Sequence, residues 1–387
     1  MAVYDAALGQ QRMKILSAAI RAGYAWTVRH REPRAWREIM SMAGVVNALC
    51  PQQEILTPAE FVRSLSCPLG KLAPDVFDGD PLGQLTVLEW DELSDDVWSD
   101  GCTSVMELLQ KGDRGRGWLP SWAWMRQEGV ENEAFAGIRE GANEHSYRAR
   151  RRFVVEYPAG GAGEILDLCA EAGIDPPVQY VDLPADRVYG GRWWWACPKC
   201  RWPMRVDGHR VRCTYLYHQA HYTVRSEPLT GGRPQLLRRD SQVPRPPGAR
   251  ERRQQGPERT VCVDFAVWRF IVVPGVEELA LYRRWYGKPL LDVTLWPGLD
   301  IYDLEFAVES LGWTLSIDLK DVASATALAE KVRQKPLAAN TIVLPDHRGP
   351  GQKAELQKLL PGYTVWLVED VNKEISKQLT RAKRQTK

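Results

Sequence analysis

Two groups of residues in this 387-residue chain have types and spacing that suit chemistry. The first lies in residues 193–222, WWWACPKCRWPMRVDGHRVRCTYLYHQAHY. Cys197 and Cys200 form a CPKC knuckle, and Cys213 and His218 follow it beyond Asp207-Gly208, a pair suited to a hairpin turn. Tetrahedral zinc takes four thiolate or imidazole ligands, and two short chelating turns joined by a hairpin supply them at little cost in chain entropy. His221 competes with His218 as the fourth ligand, while His209 falls at the hairpin tip, away from the site. Sites with four protein ligands are usually structural, so no catalysis is expected of this one.

The second group follows Val263 and consists of acids and one lysine. Glu277 and Glu278 sit in a helical stretch after Pro274-Gly275. Two runs, 303–310 and 313–320, flank Leu311-Gly312 and read as a hairpin. With the turn centred on Ser310 and Leu311, Asp303 and Asp318 become cross-strand partners, with Cβ atoms about 4.5–5.5 Å apart. Carboxylates that close repel unless a cation lies between them, and a hard ion with oxygen ligands, Mg²⁺ or Mn²⁺, is the natural occupant. Lys320 shares the face of Asp318, because side chains alternate along a strand. A lysine there orients or deprotonates a water while the metal stabilises charge on a phosphoryl oxygen, which is the chemistry of phosphodiester hydrolysis. The bland alternative makes Asp318 and Lys320 the solvated face of a strand whose other face is Leu315, Ile317 and Leu319.

Other elements must position these groups. Apolar spacing predicts two helices over residues 10–50, and Thr57-Pro58-Ala59-Glu60 starts a third. Residues 152–158 read as a strand, 164–172 as a helix closed by Gly173, and 178–183 as a strand. Nothing catalytic is visible in the first 180 residues. An apolar run, Phe265–Val273, reads as a strand, as does 292–295 before the turn 296–300. After Lys320 come a helix, the strand 340–344, a helix, the strand 363–368 and a basic C-terminal helix, while His347 is a lone histidine at a strand end and more often structural. Helices on both faces of mixed strands make a three-layer sandwich.

Charge is uneven. Residues 181–260 carry 16 Lys and Arg against 7 Asp and Glu, whereas residues 1–180 carry 18 against 26. Between Ser226 and Arg259 there are six prolines, four glycines and eight arginines with few large apolar residues, which reads as a flexible basic linker suited to phosphates. Eight cysteines are too few for a disulfide scaffold, and no run is long and apolar enough for a membrane span or a signal peptide, so a cytoplasmic protein is expected.

The blocks PGVEEL, LWPGLDIYDLEF, WTLSIDLKD, TIVLPD and TVWLVED resemble the restriction-endonuclease-like PD-(D/E)xK nucleases. Together with CPKCRWPM they are similar to the nuclease encoded beside PIWI-RE (Argonaute-like) proteins and a DinG-type helicase in prokaryotic defence islands. The resemblance implies metal ligands Asp303 and Asp318, the water-positioning Lys320 and the helix glutamate Glu278, with Glu277 as its competitor. Tyr302 stands where the family has its proline, and Pro297 lies near Asp300, which keeps Asp300 as an alternative to Asp303. The expected architecture is α+β and multidomain: a mostly helical region 1–185, a zinc ribbon 186–225, the flexible linker 226–260 and an α/β/α restriction-endonuclease-like domain 261–387. The expected function is Mg-dependent DNA cleavage in defence against foreign DNA. The alternative is a catalytically degenerate zinc-ribbon subunit that docks a nucleic-acid-processing partner.

Overall fold

The computed structural model describes residues 6–30, 32–78, 80–89, 92–94, 97, 135–225, 232–238, 240–322 and 325–385. Helices α1 (Ala6–Val28) and α2 (Ala35–Leu49) bury Ile15, Leu16, Ala19, Ile20, Ile39, Ala43 and Val46, the spacing that places apolar residues on one helical face. Thr57 caps α3 (Pro58–Ser64) in a capping box with Glu60. Helix α4 (Glu144–Glu156) begins at Asn143, whose side chain accepts from Ser146 N at 2.9 Å. It takes up residues 152–156 of the stretch 152–158 that reads as a strand in the sequence. Tyr147, Arg151, Val154 and Val155 fall on one buried face at helical spacing, and this periodicity overrides the β-propensity of Phe153-Val154-Val155.

Strand β1 (Ala159–Gly161), helix α5 (Ala162–Glu171) and strand β2 (Tyr180–Asp182) follow. Four antiparallel strands, β3 (Arg205–Asp207), β4 (Arg210–Arg212), β5 (His221–Val224) and β6 (Leu236–Leu237), carry the cysteine-rich segment. The two-residue loop between β3 and β4 uses Gly208 at φ +55°, a left-handed position that glycine takes without steric cost.

The expected flexible linker is corrected here. Its residues 226–231 and 239 lie outside the described residues, but Leu236–Leu237 forms β6, Arg250–Glu251 pairs with Trp193–Trp194, and β7 (Thr260–Val263) is the central strand between β1 and β2. Leu236, Val243 and Ala249 are buried in the core of the cysteine-rich unit. Strand pairing needs backbone rather than apolar side chains, so composition understated the order of this segment.

The apolar run Phe265–Val273 is also helical, not a strand. A short helix (Phe265–Val267) and a π-turn (Trp268–Val272) lead directly into α6 (Val273–Trp285), so Pro274 and Gly275 lie inside the helical run. Pro274 has no N–H to give to an i−4 carbonyl, and a π-turn just before it accommodates that loss. A Cβ on Gly275 would stand 2.5 Å from Val155 Cγ2, which shows how closely α6 packs on α4.

The last part of the chain is a five-stranded sheet of β8 (Asp292–Leu295), β9 (Leu304–Val308), β10 (Trp313–Leu319), β11 (Thr341–Leu344) and β12 (Thr364–Leu367). The first three strands are antiparallel and β10, β11 and β12 are parallel. Alternation assigns the two faces: Ile342 and Leu344 pack with residues of α7 (Ala325–Gln334) and α8 (Gly349–Leu359), while Val343 packs with α6 and α9 (Val368–Gln385). The chain is thus mixed α and β, helical at its N-terminal side and sheet-based at its C-terminal side. No helix among the described residues is long and apolar enough to cross a membrane.

Candidate functional site

The cysteine-rich group assembles from three places. Cys197 and Cys200 come from the turn after Trp193–Trp194, Cys213 directly follows β4, and His218 ends a short 3-10 turn, Leu216–His218. All four side chains are buried and their ligand atoms lie within 4.8 Å of one another. Cys200 Sγ is 3.8 Å from Cys213 Sγ, and His218 Nδ1 is 3.3 Å from Cys213 Sγ and 3.6 Å from Cys197 Sγ. A tetrahedron with metal–sulfur bonds of about 2.3 Å and a metal–nitrogen bond of about 2.05 Å has edges of about 3.8 and 3.6 Å, so the group fits a metal such as zinc. His221 is exposed on β5 opposite Arg212 and is not part of the group. Burial pushes the Cys200 and Cys213 thiols well up. Burial also opposes ionisation of Cys197, but hydrogen bonds from Cys200, Cys213 and His218 overcome it and hold this thiol well below its ordinary value. Trp268 Nε1 donates to Cys200 Sγ at 3.4 Å and Trp202 stacks on Trp268 at 4.4 Å, which joins the cluster to the helical run leading to Glu278.

The acidic group lies where β9, β10, α6 and α4 meet. The pairing of Leu304 with Ile317, Phe306 with Leu315 and Val308 with Trp313 is the register in which Asp303 and Asp318 are partners. Regular pairing stops one residue short of Asp303, whose N–H donates to Ile317 O at 3.1 Å while its Oδ2 accepts from Leu319 N at 2.6 Å. Asp318 is 4% exposed and Lys320 Nζ donates to its Oδ1, so the Asp318 side of β10 is no solvated face. Burial, then Glu278, pushes the Asp303 carboxyl well above the usual aspartate range, and Lys320 opposes them. For Lys320, Asp318 and Asp303 outweigh burial and keep the ammonium charged.

Glu278 is fully enclosed, and its partner is a residue that sequence reasoning missed. Arg151 on α4 pairs with it through a single nitrogen, Nη2 donating to Oε2 at 2.8 Å and to Oε1 at 3.1 Å, and Trp296 Nε1 donates to Oε2 as well. Arg151 Nη1 donates to Asp300 Oδ1, and Nη2 is 4.0 Å from Asp303 Oδ1. The guanidinium lies 4.3 Å from the Trp296 ring centroid. Tyr147 OH donates to Asp300 Oδ2 at 3.1 Å, so Asp300 turns toward α4. Glu277 is half-buried at the neighbouring helix position. The signal for Arg151 was its place in an apolar helical stripe between Tyr147 and Val154-Val155, where a charge is buried only with a partner. The acids do not converge on one point: among the described residues, the Cys₃His group is the only set of three or more Cys, His, Asp or Glu ligand atoms that close together.

The loop between β8 and Asp303 is strained. Trp296 (φ +47°), Leu299 (φ +60°) and Asp300 (φ +76°) are left-handed without being glycine, each costing about 1–2 kcal/mol, and Gly298 at φ +60° sits among them. Gly298 N donates to Glu144 Oε1 at 2.9 Å, so α4 grips the loop at both ends of its first two turns.

The two groups are physically linked. Tyr217, in the loop closed by Cys213 and His218, stacks on His347 at 4.0 Å, and Arg348 Nη1 donates to Tyr217 OH at 3.0 Å. Arg348 Nε donates to Asp321 Oδ1 at 2.6 Å, and His347 Nε2 lies 3.2 Å from the same oxygen. His347, a lone histidine by sequence, thus sits between the metal-type loop and the residue after Lys320.

Comparison with known families follows this division of the site. No curated protein and no solved structure gives a significant match. Residues 12–161, which include α4 and Arg151, match the family model described as the pPIWI_RE three-gene island domain Y. Residues 275–383, which include all four acids and Lys320, match the one described as the REase associating with pPIWI_RE, so the chain is similar to components of the PIWI-RE island over both parts of its acidic centre.

Proposed function

We propose that the chain is a metal-dependent DNA endonuclease with a restriction-endonuclease-like PD-(D/E)xK domain, acting as the nuclease of a prokaryotic defence island beside a PIWI-RE protein and a DinG-type helicase. The observation that carries this reading is the gathering of Asp303, Asp318 and Lys320 at the end of one hairpin, in the region similar to a REase associated with pPIWI_RE. Two buried carboxylates make a hard, oxygen-only donor set of the kind Mg²⁺ or Mn²⁺ takes, and Asp303 and Asp318 would hold that ion. Such an ion supplies charge stabilisation at a phosphoryl oxygen. Lys320, held by Asp318, keeps its proton and orients the attacking water. The Cys₃His group would bind structural zinc as a ribbon, and the arginines of the basic segment 226–260 would contact phosphates without reading sequence.

The test is plasmid nicking with and without Mg²⁺ or Mn²⁺, with the island partners added, for the parent chain beside Asp318→Asn and Lys320→Ala. The reading requires metal-dependent cleavage by the parent and none by either variant. Cleavage by Asp318→Asn at the parent rate refutes it. The hold of Arg151 Nη2 on both Glu278 oxygens favours a second reading, a non-cleaving subunit that docks a nucleic-acid-processing partner. Partner binding without cleavage under all metal conditions would select it.

A further inference from the structure

Arg151 enters the acidic centre from outside the sheet domain and is 3% exposed, so its charge is answered locally rather than by water. Its two terminal nitrogens are spent on Glu278 and Asp300, and the nearer of the Asp303 oxygens is 4.0 Å away. Lys320 is spent on Asp318. Four carboxylates, those of Glu278, Asp300, Asp303 and Asp318, therefore lie around two cations, the enclosed Arg151 and the partly exposed Lys320. Arg139 also lies 4.0 Å from Asp300, but its side chain is 49% exposed and solvent screens it.

The geometry divides the centre into two halves. On one side Glu278 and Asp300 already have a cation of the right reach, with Nη2 on Glu278, Nη1 on Asp300 and the guanidinium held against the Trp296 ring. On the other, Asp303 and Asp318 share the hairpin end with Lys320. A guanidinium so placed repels a second divalent ion and occupies the oxygens such an ion would need.

We propose that Arg151 is a built-in cation of the acidic centre. It fixes Glu278 as its own anchor rather than as a metal ligand, and it limits the centre to a single divalent ion between Asp303 and Asp318. The centre is then composite: its acids belong to the region similar to the REase and its fixed cation to the region similar to domain Y. The proposal rests on the nuclease reading for the existence of that one ion. Arg151 is a positioning residue in this scheme, because it acts through Glu278, Asp300 and the loop before Asp303.

The test is Mn²⁺ binding followed by electron paramagnetic resonance on the full, zinc-loaded chain, which needs no turnover. The parent should bind one Mn²⁺. Asp303→Asn and Asp318→Asn should each weaken it on the order of 100-fold or more, since each removes a charged ligand. Glu278→Gln should leave both stoichiometry and affinity within about threefold, and Arg151→Met should admit a second Mn²⁺ on the Glu278 and Asp300 side. Two ions in the parent, or a loss in Glu278→Gln as large as in Asp303→Asn, overturns the proposal while leaving the nuclease reading intact. No ion in the parent overturns both. Should Arg151→Met fail to fold, the parent stoichiometry and Glu278→Gln still decide the matter.

Discussion

Removing Arg151 is the most informative perturbation of stability, because it tests whether α4 is structurally part of the sheet domain's centre. Arg151 and Glu278 are 3% and 1% exposed and joined by hydrogen bonds of 2.8 and 3.1 Å. Truncating one member of a buried pair leaves the other charge uncompensated, at a cost of about 3–5 kcal/mol. Part of that returns, because Asp300 loses its main anchor and the left-handed loop of Trp296, Leu299 and Asp300 is free to relax strain of about 1–2 kcal/mol per residue. Arg151→Ala should therefore destabilise by about 3 kcal/mol in urea unfolding. Glu278→Gln in the same background removes the stranded carboxylate, so the double variant should be less destabilised than the two singles predict together. The difference, a coupling on the order of 2 kcal/mol, is the quantity a double-mutant cycle reads. Hydrogen exchange of the amides of residues 296–303 should speed up in Arg151→Ala and stay unchanged in the exposed-site control Arg152→Ala, whose side chain is 53% exposed. Loss of less than about 1 kcal/mol with unchanged exchange would refute the reasoning, for it would mean that Glu278 and the loop are held without Arg151.

Metal uptake by the Cys₃His group must strip protons from Cys200 and Cys213, so zinc affinity measured by chelator competition should fall by about 100-fold per pH unit on acidification; a flat profile would contradict the thiol assignment. Burial opposes ionisation of Asp321, yet Arg348 and His347 hold its carboxyl below the usual aspartate range. A depressed carboxyl contributes stability above its unfolded value that is lost as pH falls through the folded one, so the acid limb of thermal unfolding below about pH 4 should flatten in Asp321→Asn and not in a surface Asp variant. Gly275→Ala should cost about 1–3 kcal/mol by pushing α6 off Val155, and Val155→Ala in the same chain should restore most of it; a neutral Gly275→Ala would refute the close approach.

What the sequence made legible was what depends on neighbours in the chain. The hairpin of β9 and β10 could be registered because its turn, Glu309–Gly312, is short and its apolar residues alternate. The Cys₃His group could be found because chelation by Cys197, Cys200, Cys213 and His218 needs only local spacing. What stayed hidden depends on distance or on tertiary context. Arg151 meets Glu278 across 127 residues, and nothing in the periodicity of α4 names its partner. The run Phe265–Val273 reads equally well as a buried strand or a helix enclosed on all sides, and Pro274 suggested a break where a π-turn lets the helix continue. The segment after Gly232 looked unable to order because its few apolar residues were counted rather than placed, whereas Leu236, Val243 and Ala249 each fill a site in the neighbouring core.

The same long-range contacts argue that the cysteine-rich unit is not an appendage. Its ligand loop, Cys213–His218, presents Tyr217 to His347 and Arg348, and those two residues hold Asp321, the immediate neighbour of Lys320. On the opposite side, Trp202 and Cys200 hold Trp268, at the start of the helical run that carries Glu278. A metal held by the Cys₃His group would thus restrain both the strand end that bears Lys320 and the helix that bears Glu278, while α4 restrains the loop before Asp303. Each of the three elements of the acidic centre is therefore fixed by a part of the chain outside its own sheet. This explains how a site with strained backbone and neighbouring carboxylates persists: the cysteine-rich unit and α4 both hold its geometry, and no single strand has to hold the repulsion alone.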